Sequence, residues 1–168
     1  ELASGRVRTV TNGLENPTRM AIEARGETAL VLENRGSGFS GDYSSGRLIR
    51  VNLLTGEKTI LATGLNAPRG IAIEREGETA LVRANGIYRV DLLTGSSTLL
   101  AYANINGDIA IGPGSAYAFF LTEELYRGMG VIKKIDLATN EVTTVAGPLE
   151  GSIRGDAIEL SSDGTFAL

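Results

Sequence analysis

With 168 residues, 16 Lys and Arg against 20 Asp and Glu, and a net charge of −4, the chain is long enough for one domain burying roughly 70% of its unfolded surface and too acidic for a phosphate-tracking nucleic-acid footprint. It has no Cys and no His, which removes disulfides, thiolate chemistry, Ser-His-Asp triads and the commonest transition-metal ligand. Its 22 glycines point to many tight turns, and its longest apolar stretches, such as Ala116–Leu121, fall far short of the ~20 residues of a spanning helix.

In chain order, residues 1–14 come first. LASGRVRTVTNGL from Leu2 repeats the pattern of LLTGEKTILATGL from Leu53, so this segment reads as the outer strand of an earlier unit. A complete unit follows at 15–62, beginning PTRMAIEARGETALV at Pro17 and ending RLIRVNLLTGEKTILA from Arg47. The second, 63–101, begins PRGIAIEREGETALV at Pro68 and ends GIYRVDLLTGSSTLLA from Gly86. The third, 102–146, ends VIKKIDLATNEVTTVA from Val131. Residues 147–168 open a further copy with RGDAIELSSDGTFAL.

Each unit predicts four short strands rich in Val, Ile, Leu and Thr, bounded by Gly, Asn or Asp. No window keeps a 3.6-residue apolar period over three turns. A four-strand unit returning every ~40–50 residues is the signature of β-propeller blades. The fold expected is therefore all-β, about four blades of a larger six- to eight-bladed propeller. A closed four-bladed propeller is the alternative. The chain starts at Glu1 without an initiator Met or a leader, and the last copy stops inside its second strand, which reads as a piece of a longer molecule.

The motif GL-x-x-P-x-G-I-A-I-E, then G-x-T-A-L-V, then G-x-I-x-R-V-D-L, then T-x-L-A resembles NHL and YVTN-type propeller repeats. It is also similar to the six-bladed gluconolactonase and strictosidine-synthase group. The resemblance implies the fold over nearly the whole chain. Through the gluconolactonase group it also implies a bound metal held by Glu, Asn and Asp.

Connection lengths point to one face. The first-to-second turns (EARGET, EREGET) and third-to-fourth turns (LLTGE, LLTGS, LATNE) are short and nearly constant. The second-to-third connections run from the long Glu33–Arg47 loop to the minimal RANG at Arg83, with TEELYRGMG from Thr122 between them in length. The fourth-to-first connections vary too, and in a propeller both variable sets emerge at the same end. Variable loops on a fixed scaffold are where binding is placed. The candidate contact residues there are Phe39, Asp42, Tyr43, Tyr126, Arg127, Asn16 and Asn66. Asp108 and Asp156, ahead of innermost strands, with Asn104 and Asn106 supplying amide oxygens, are the candidate Ca²⁺ ligands; the competing reading has both aspartates capping free backbone N–H groups. Arg50, Arg89 and Lys134 recur in the third strand and are expected to face outward. Glu23 and Glu74 read as turn-flanking charges, and Asp163 as a turn residue.

No acid–base constellation is visible, so the leading reading is a non-catalytic binding or assembly module using the variable-loop face. Its partners would be a protein or small-molecule ligand on that face, together with the remaining blades of a larger propeller or a second copy of the chain. Neither nucleic acid nor a membrane is expected, and no cofactor beyond Ca²⁺. The alternative is a Ca²⁺-dependent lactonase or hydrolase resembling gluconolactonase. The compartment is left open, with a secreted or periplasmic one favoured.

Overall fold

A computed structural model describes residues 5–34, 46–103, 107–123, 130–149 and 158–161. Three four-stranded antiparallel sheets follow one another along the chain. Blade one comprises β1 (Pro17–Ile22), β2 (Thr28–Glu33), β3 (Gly46–Asn52) and β4 (Lys58–Leu65). Blade two comprises β5 (Gly70–Ile73), β6 (Thr79–Ala84), β7 (Gly86–Asp91) and β8 (Ser97–Ala101). Blade three comprises β9 (Ile109–Ile111), β10 (Tyr117–Glu123), β11 (Gly130–Asp136) and β12 (Val142–Leu149). The described residues contain no α-helix, only a short 3-10 turn at Pro113–Ser115. The fold is that of β-propeller blades, with β1, β5 and β9 side by side as the inner strands; among the described residues the sheets do not close into a ring.

Strand alternation builds the core. Successive side chains of a strand point to opposite faces, so each blade shows one apolar face to the blade before it and another to the blade after. Leu30, Leu32 and Leu48 of blade one meet Ile71, Ala80 and Val82 of blade two. On the other face of blade two, Leu81 and Ile87 meet Ile109, Ala118 and Phe120 of blade three. The front of blade one, Val31, Ile49 and Val51, is covered by Val10 and Leu14. Each fully buried Leu, Ile or Phe contributes about 1.5–3 kcal/mol relative to exposure. The seams between blades therefore carry most of the stability.

The repeated LLTG-type turn has a repeated mechanism. Asn52 Oδ1 accepts from the N–H groups of Leu54 and Thr55, and Asp91 and Asp136 do the same for Leu93 and Thr94 and for Ala138 and Thr139. These hydrogen bonds, led by Thr94 for Asp91 and by Thr139 for Asp136, hold both carboxyls below the usual range. The turn then needs a left-handed residue, supplied by Gly56 (φ +76°), Gly95 (φ +74°) and Asn140 (φ +62°). At Gly95 there is a second reason for glycine. A Cβ there would stand 1.8 Å from the carbonyl oxygen of Leu61, in the outer strand of the preceding blade. At Gly56 the same position would stand 2.2 Å from the carbonyl oxygen of Val10. Leu61 lies at a register shift between β3 and β4, as Leu100 does between β7 and β8.

Arg50 and Arg89 do not face outward as alternation alone suggests. Arg50 donates through Nε and Nη2 to Glu23 at 2.8 Å, and Thr28 donates to the same carboxylate at 2.6 Å. Arg89, Glu74 and Thr79 repeat the arrangement. These partners are half-buried or less exposed, with Glu23 17% and Glu74 11% exposed, because β3 and β7 run inside their sheets. Burial pushes the Glu23 carboxyl up, but the hydrogen bonds from Arg50 and Thr28 and the charge of Arg50 outweigh it and hold it below the usual range. Blade three solves the same position differently. Gly112 stands in for the glutamate and Tyr117 for the threonine, and Lys134 sits 4.4 Å from the Tyr117 ring centroid. A Cβ on Gly112 would lie 2.1 Å from that ring.

Candidate ligand-binding face

The variable connections leave the sheets at the end where β1, β5 and β9 begin. Equivalent positions of the three inner strands carry Arg19, Gly70 and Asp108. Arg19 Nε donates to Asp108 Oδ2 at 3.2 Å, joining blade one to blade three across blade two. Gly70 makes the crossing possible, since a Cβ there would lie 3.0 Å from Asp108 Oδ1 and 3.1 Å from its Cα. The other carboxylate oxygen, Oδ1, accepts from the N–H of Ile109 at 2.9 Å.

One residue earlier, the equivalent positions are Thr18, Arg69 and Gly107. Together with Arg19 they line an open cavity of about 180 Å³. The Thr18 hydroxyl donates to the Pro68 carbonyl at 2.8 Å, and the Arg69 N–H donates to the Arg83 carbonyl at 2.8 Å. These bonds fix the two walls. Arg69 is exposed, and its guanidinium makes no ion pair among the described residues.

Arg83, on β6 opposite Gly70, is fully buried. Its guanidinium carbon lies 5.1 Å from the Phe120 ring centroid. Burial pulls its pKa down to about 10, while the charge of Asp108 pulls the other way. Farther out, at the foot of the long second-to-third connection, Glu33 is fully buried. It accepts from Arg47 Nε at 2.5 Å and from the Glu15 N–H at 2.8 Å.

The structure distributes the sequence-derived candidates as follows. Asn16 is exposed, with φ +48°, and its side chain donates to the Asn34 carbonyl at 3.0 Å. The Asn66 carbonyl accepts from the Asn85 N–H at 2.9 Å. Both tie connections together at the variable face. Asp108 lies at the inner rim, held by a guanidinium and a backbone N–H. Phe39, Asp42, Tyr43, Asn104, Asn106, Tyr126, Arg127, Asp156 and the turn residue Asp163 lie outside the described residues.

Among the described residues, no three acidic groups converge as a metal site. Asp108, the one candidate Ca²⁺ ligand among the described residues, has Oδ2 held by Arg19 and Oδ1 by the Ile109 N–H. Sequence reasoning missed Arg19, Arg69, Arg83 and Glu33. An arginine in TALVRA, where the first blade has TALVLE, was the available signal for Arg83.

No protein-family model matches the sequence, nor does any curated protein. Solved structures do match. The chain is similar to TolB from Acinetobacter baumannii, with TM-score 0.73 at 16% identity over 94% of this chain and 38% of that one. It is similar to a chain of the nidogen/laminin complex, with TM-score 0.69 at 15% identity, covering 89% and 54%. It is also similar to an oligogalacturonate lyase in complex with manganese, with TM-score 0.68 at 12% identity, covering 99% and 50%. These likenesses concern the fold, and the chain spans about half or less of each of those proteins.

Proposed function

We propose that the chain is a binding module of NHL-like β-propeller type, which takes a ligand or protein partner on the face where the variable connections emerge. The observation that carries this reading is the cavity between Thr18, Arg19, Arg69 and Gly107, at the mouth of the inner strands and on that same face. A concave site with a few convergent polar groups is the default place for a ligand. Among the described residues, the opposite end offers short, hydrogen-bonded turns. The similar structures include both a complex with laminin and a lyase, so the fold itself does not choose between binding and catalysis.

We also read residues 5–14 as occupying the place of an outer strand in a preceding blade. Val10 stands against Gly56 as Leu61 stands against Gly95, and Lys58 Nζ donates to the Asn12 carbonyl at 2.6 Å. The partners would then include further blades of a larger propeller.

The test is hydrogen–deuterium exchange against a panel of peptides, neutral oligosaccharides and organic acids. Binding compounds should slow exchange at residues 16–19, 66–70 and 107–109. A compound whose protection maps instead to the turns at 24–27 and 75–78, at the opposite end, would overturn the assignment of the face.

A further inference from the structure

We propose that Asn12–Gly13 is a self-modifying site, and that Lys58 promotes its conversion through a cyclic imide to an isoaspartyl linkage. Lys58 Nζ donates to the Asn12 carbonyl at 2.6 Å and to the Gly13 carbonyl at 3.3 Å. Asn12 and Gly13 are both exposed. Among the described residues, neither the Asn12 side-chain amide nor the Gly13 N–H has a hydrogen-bond partner. Residues 6–14 belong to no strand ladder, and Gly13, at φ +68°, has no side chain to shield its nitrogen. The Gly13 nitrogen is therefore open to approach by the Asn12 Cγ.

The chemistry needs only water. The Gly13 N–H gives its proton to solvent hydroxide, the nitrogen attacks Asn12 Cγ, a C–N bond forms, and Nδ2 takes a proton and leaves as ammonia. Water then opens the ring at either of its carbonyl carbons. Attack at the former backbone carbonyl carbon of Asn12 breaks its bond to the Gly13 nitrogen. The chain then runs through Cγ, and a free α-carboxylate is left behind. Lys58 acts at both stages through the oxygen it holds. The charge of the deprotonated nitrogen spreads onto the Asn12 carbonyl oxygen by amide resonance, and the same oxygen carries the charge when water adds to that carbon. A donor already aimed at the atom where negative charge develops lowers the barrier, and a charge-assisted bond is about twice as strong as a neutral one. In the product that oxygen belongs to the free carboxylate, facing the ammonium.

Comparison within the repeat shows that the cluster is particular to this place. Asn12–Gly13 corresponds to Thr63–Gly64, and Lys58 to Ser97, so the equivalent seam between blades one and two has neither the amide nor the cation. Asn85–Gly86 has the same dipeptide in a different setting. Gly86 pairs with Ala84 across the β6–β7 hairpin, the Asn85 N–H donates to the Asn66 carbonyl at 2.9 Å, and a Cβ on Gly86 would lie 2.7 Å from Leu99. That backbone is held in place, and among the described residues no side chain donates to the Asn85 carbonyl. Conversion at Asn12 lengthens the main chain by a carbon between Val10 and Leu14, the two residues that cover Val31, Ile49 and Val51, so its effect reaches the front of blade one.

The experiment is incubation of the intact chain at neutral pH, followed by peptide mapping and by enzymatic methyl transfer, which labels the isoaspartyl product and not the aspartyl one. Asn12 should convert faster than Asn85. Lys58→Met, which removes the donor and keeps a long side chain, should slow conversion at Asn12 by about three- to tenfold, the lower end of what a charged hydrogen bond supplies because the site is exposed. It should also lower the isoaspartyl share of the product. Lys58→Arg should restore most of both effects, and conversion at Asn85 should be the same in every variant. If Lys58 only pinned residues 12 and 13, removing it would free the backbone and speed the reaction. Unchanged or faster conversion in Lys58→Met, failure of Lys58→Arg to restore it, or conversion at Asn12 no faster than at Asn85 would each overturn the proposal. A slower rate with an unchanged isoaspartyl share would overturn the part given to Lys58 in the ring opening.

Discussion

The sharpest test of the blade packing compares two residues that the repeat makes equivalent. Met20 and Ile71 occupy the same place in the inner strands of blades one and two, fifty-one residues apart in the chain as Pro17 and Pro68 are. Ile71 is 8% exposed because Leu30, Leu32 and Leu48 of blade one close over it, whereas Met20 is 58% exposed. Ile71→Ala removes about three methylene equivalents of buried surface at about 0.8 kcal/mol each. A cavity penalty is added, for an expected loss of about 2–5 kcal/mol. Met20→Ala forfeits less than half of a full burial, about 1 kcal/mol or less. For a chain this size each kcal/mol moves Tm by about 2–4 °C, so thermal melts and urea midpoints of dilute protein separate the two variants easily. Equal losses would refute the assignment of Ile71 to a seam between blades.

Two further outcomes follow from the seams and turns. Gly112→Glu alone should destabilise by about 3 kcal/mol or more, because its side chain enters the Tyr117 ring; adding Tyr117→Thr and Lys134→Arg should return the urea midpoint to near the native value, and a triple variant no better than the single would refute the equivalence with Glu74, Thr79 and Arg89. The folded Glu23 pKa lies below its unfolded value, so its stabilisation is complete above the ordinary glutamate range near ~4.3 and is lost as pH falls through the lower folded value; Glu23→Gln should flatten that acid loss in a urea-midpoint series, and an unchanged slope would refute the role given to Arg50.

The blade architecture was legible because it is written in repeated residues. AIE followed by GETALV recurs intact, and Asn52, Asp91 and Asp136 mark the same turn in all three blades. Local rules suffice there, since a turn side chain bonds backbone two or three residues away. The site was far less legible. Asp108 stood out, but its partner Arg19 is 89 residues away, and nothing within the repeat reveals that Gly70 clears the path between them. Arg50 and Arg89 looked like exposed positions because alternation gives a face without saying what lies on it. Their carboxylate partners, Glu23 and Glu74, come from two strands away in the same sheet, a distance that only the sheet order supplies.

The bond between Arg19 and Asp108 also bears on how the array comes apart. When repeats touch only their immediate neighbours, stability is approximately a sum of unit and nearest-neighbour terms, and melting can run inward from either end. Here blade one reaches past blade two to grip blade three. Opening either seam must break this same bond, so the two interfaces share a term that neither owns. The middle blade cannot loosen from one neighbour without the other being affected. The three sheets are thereby linked into a unit larger than the repeat, with Gly70 as the residue that permits the link.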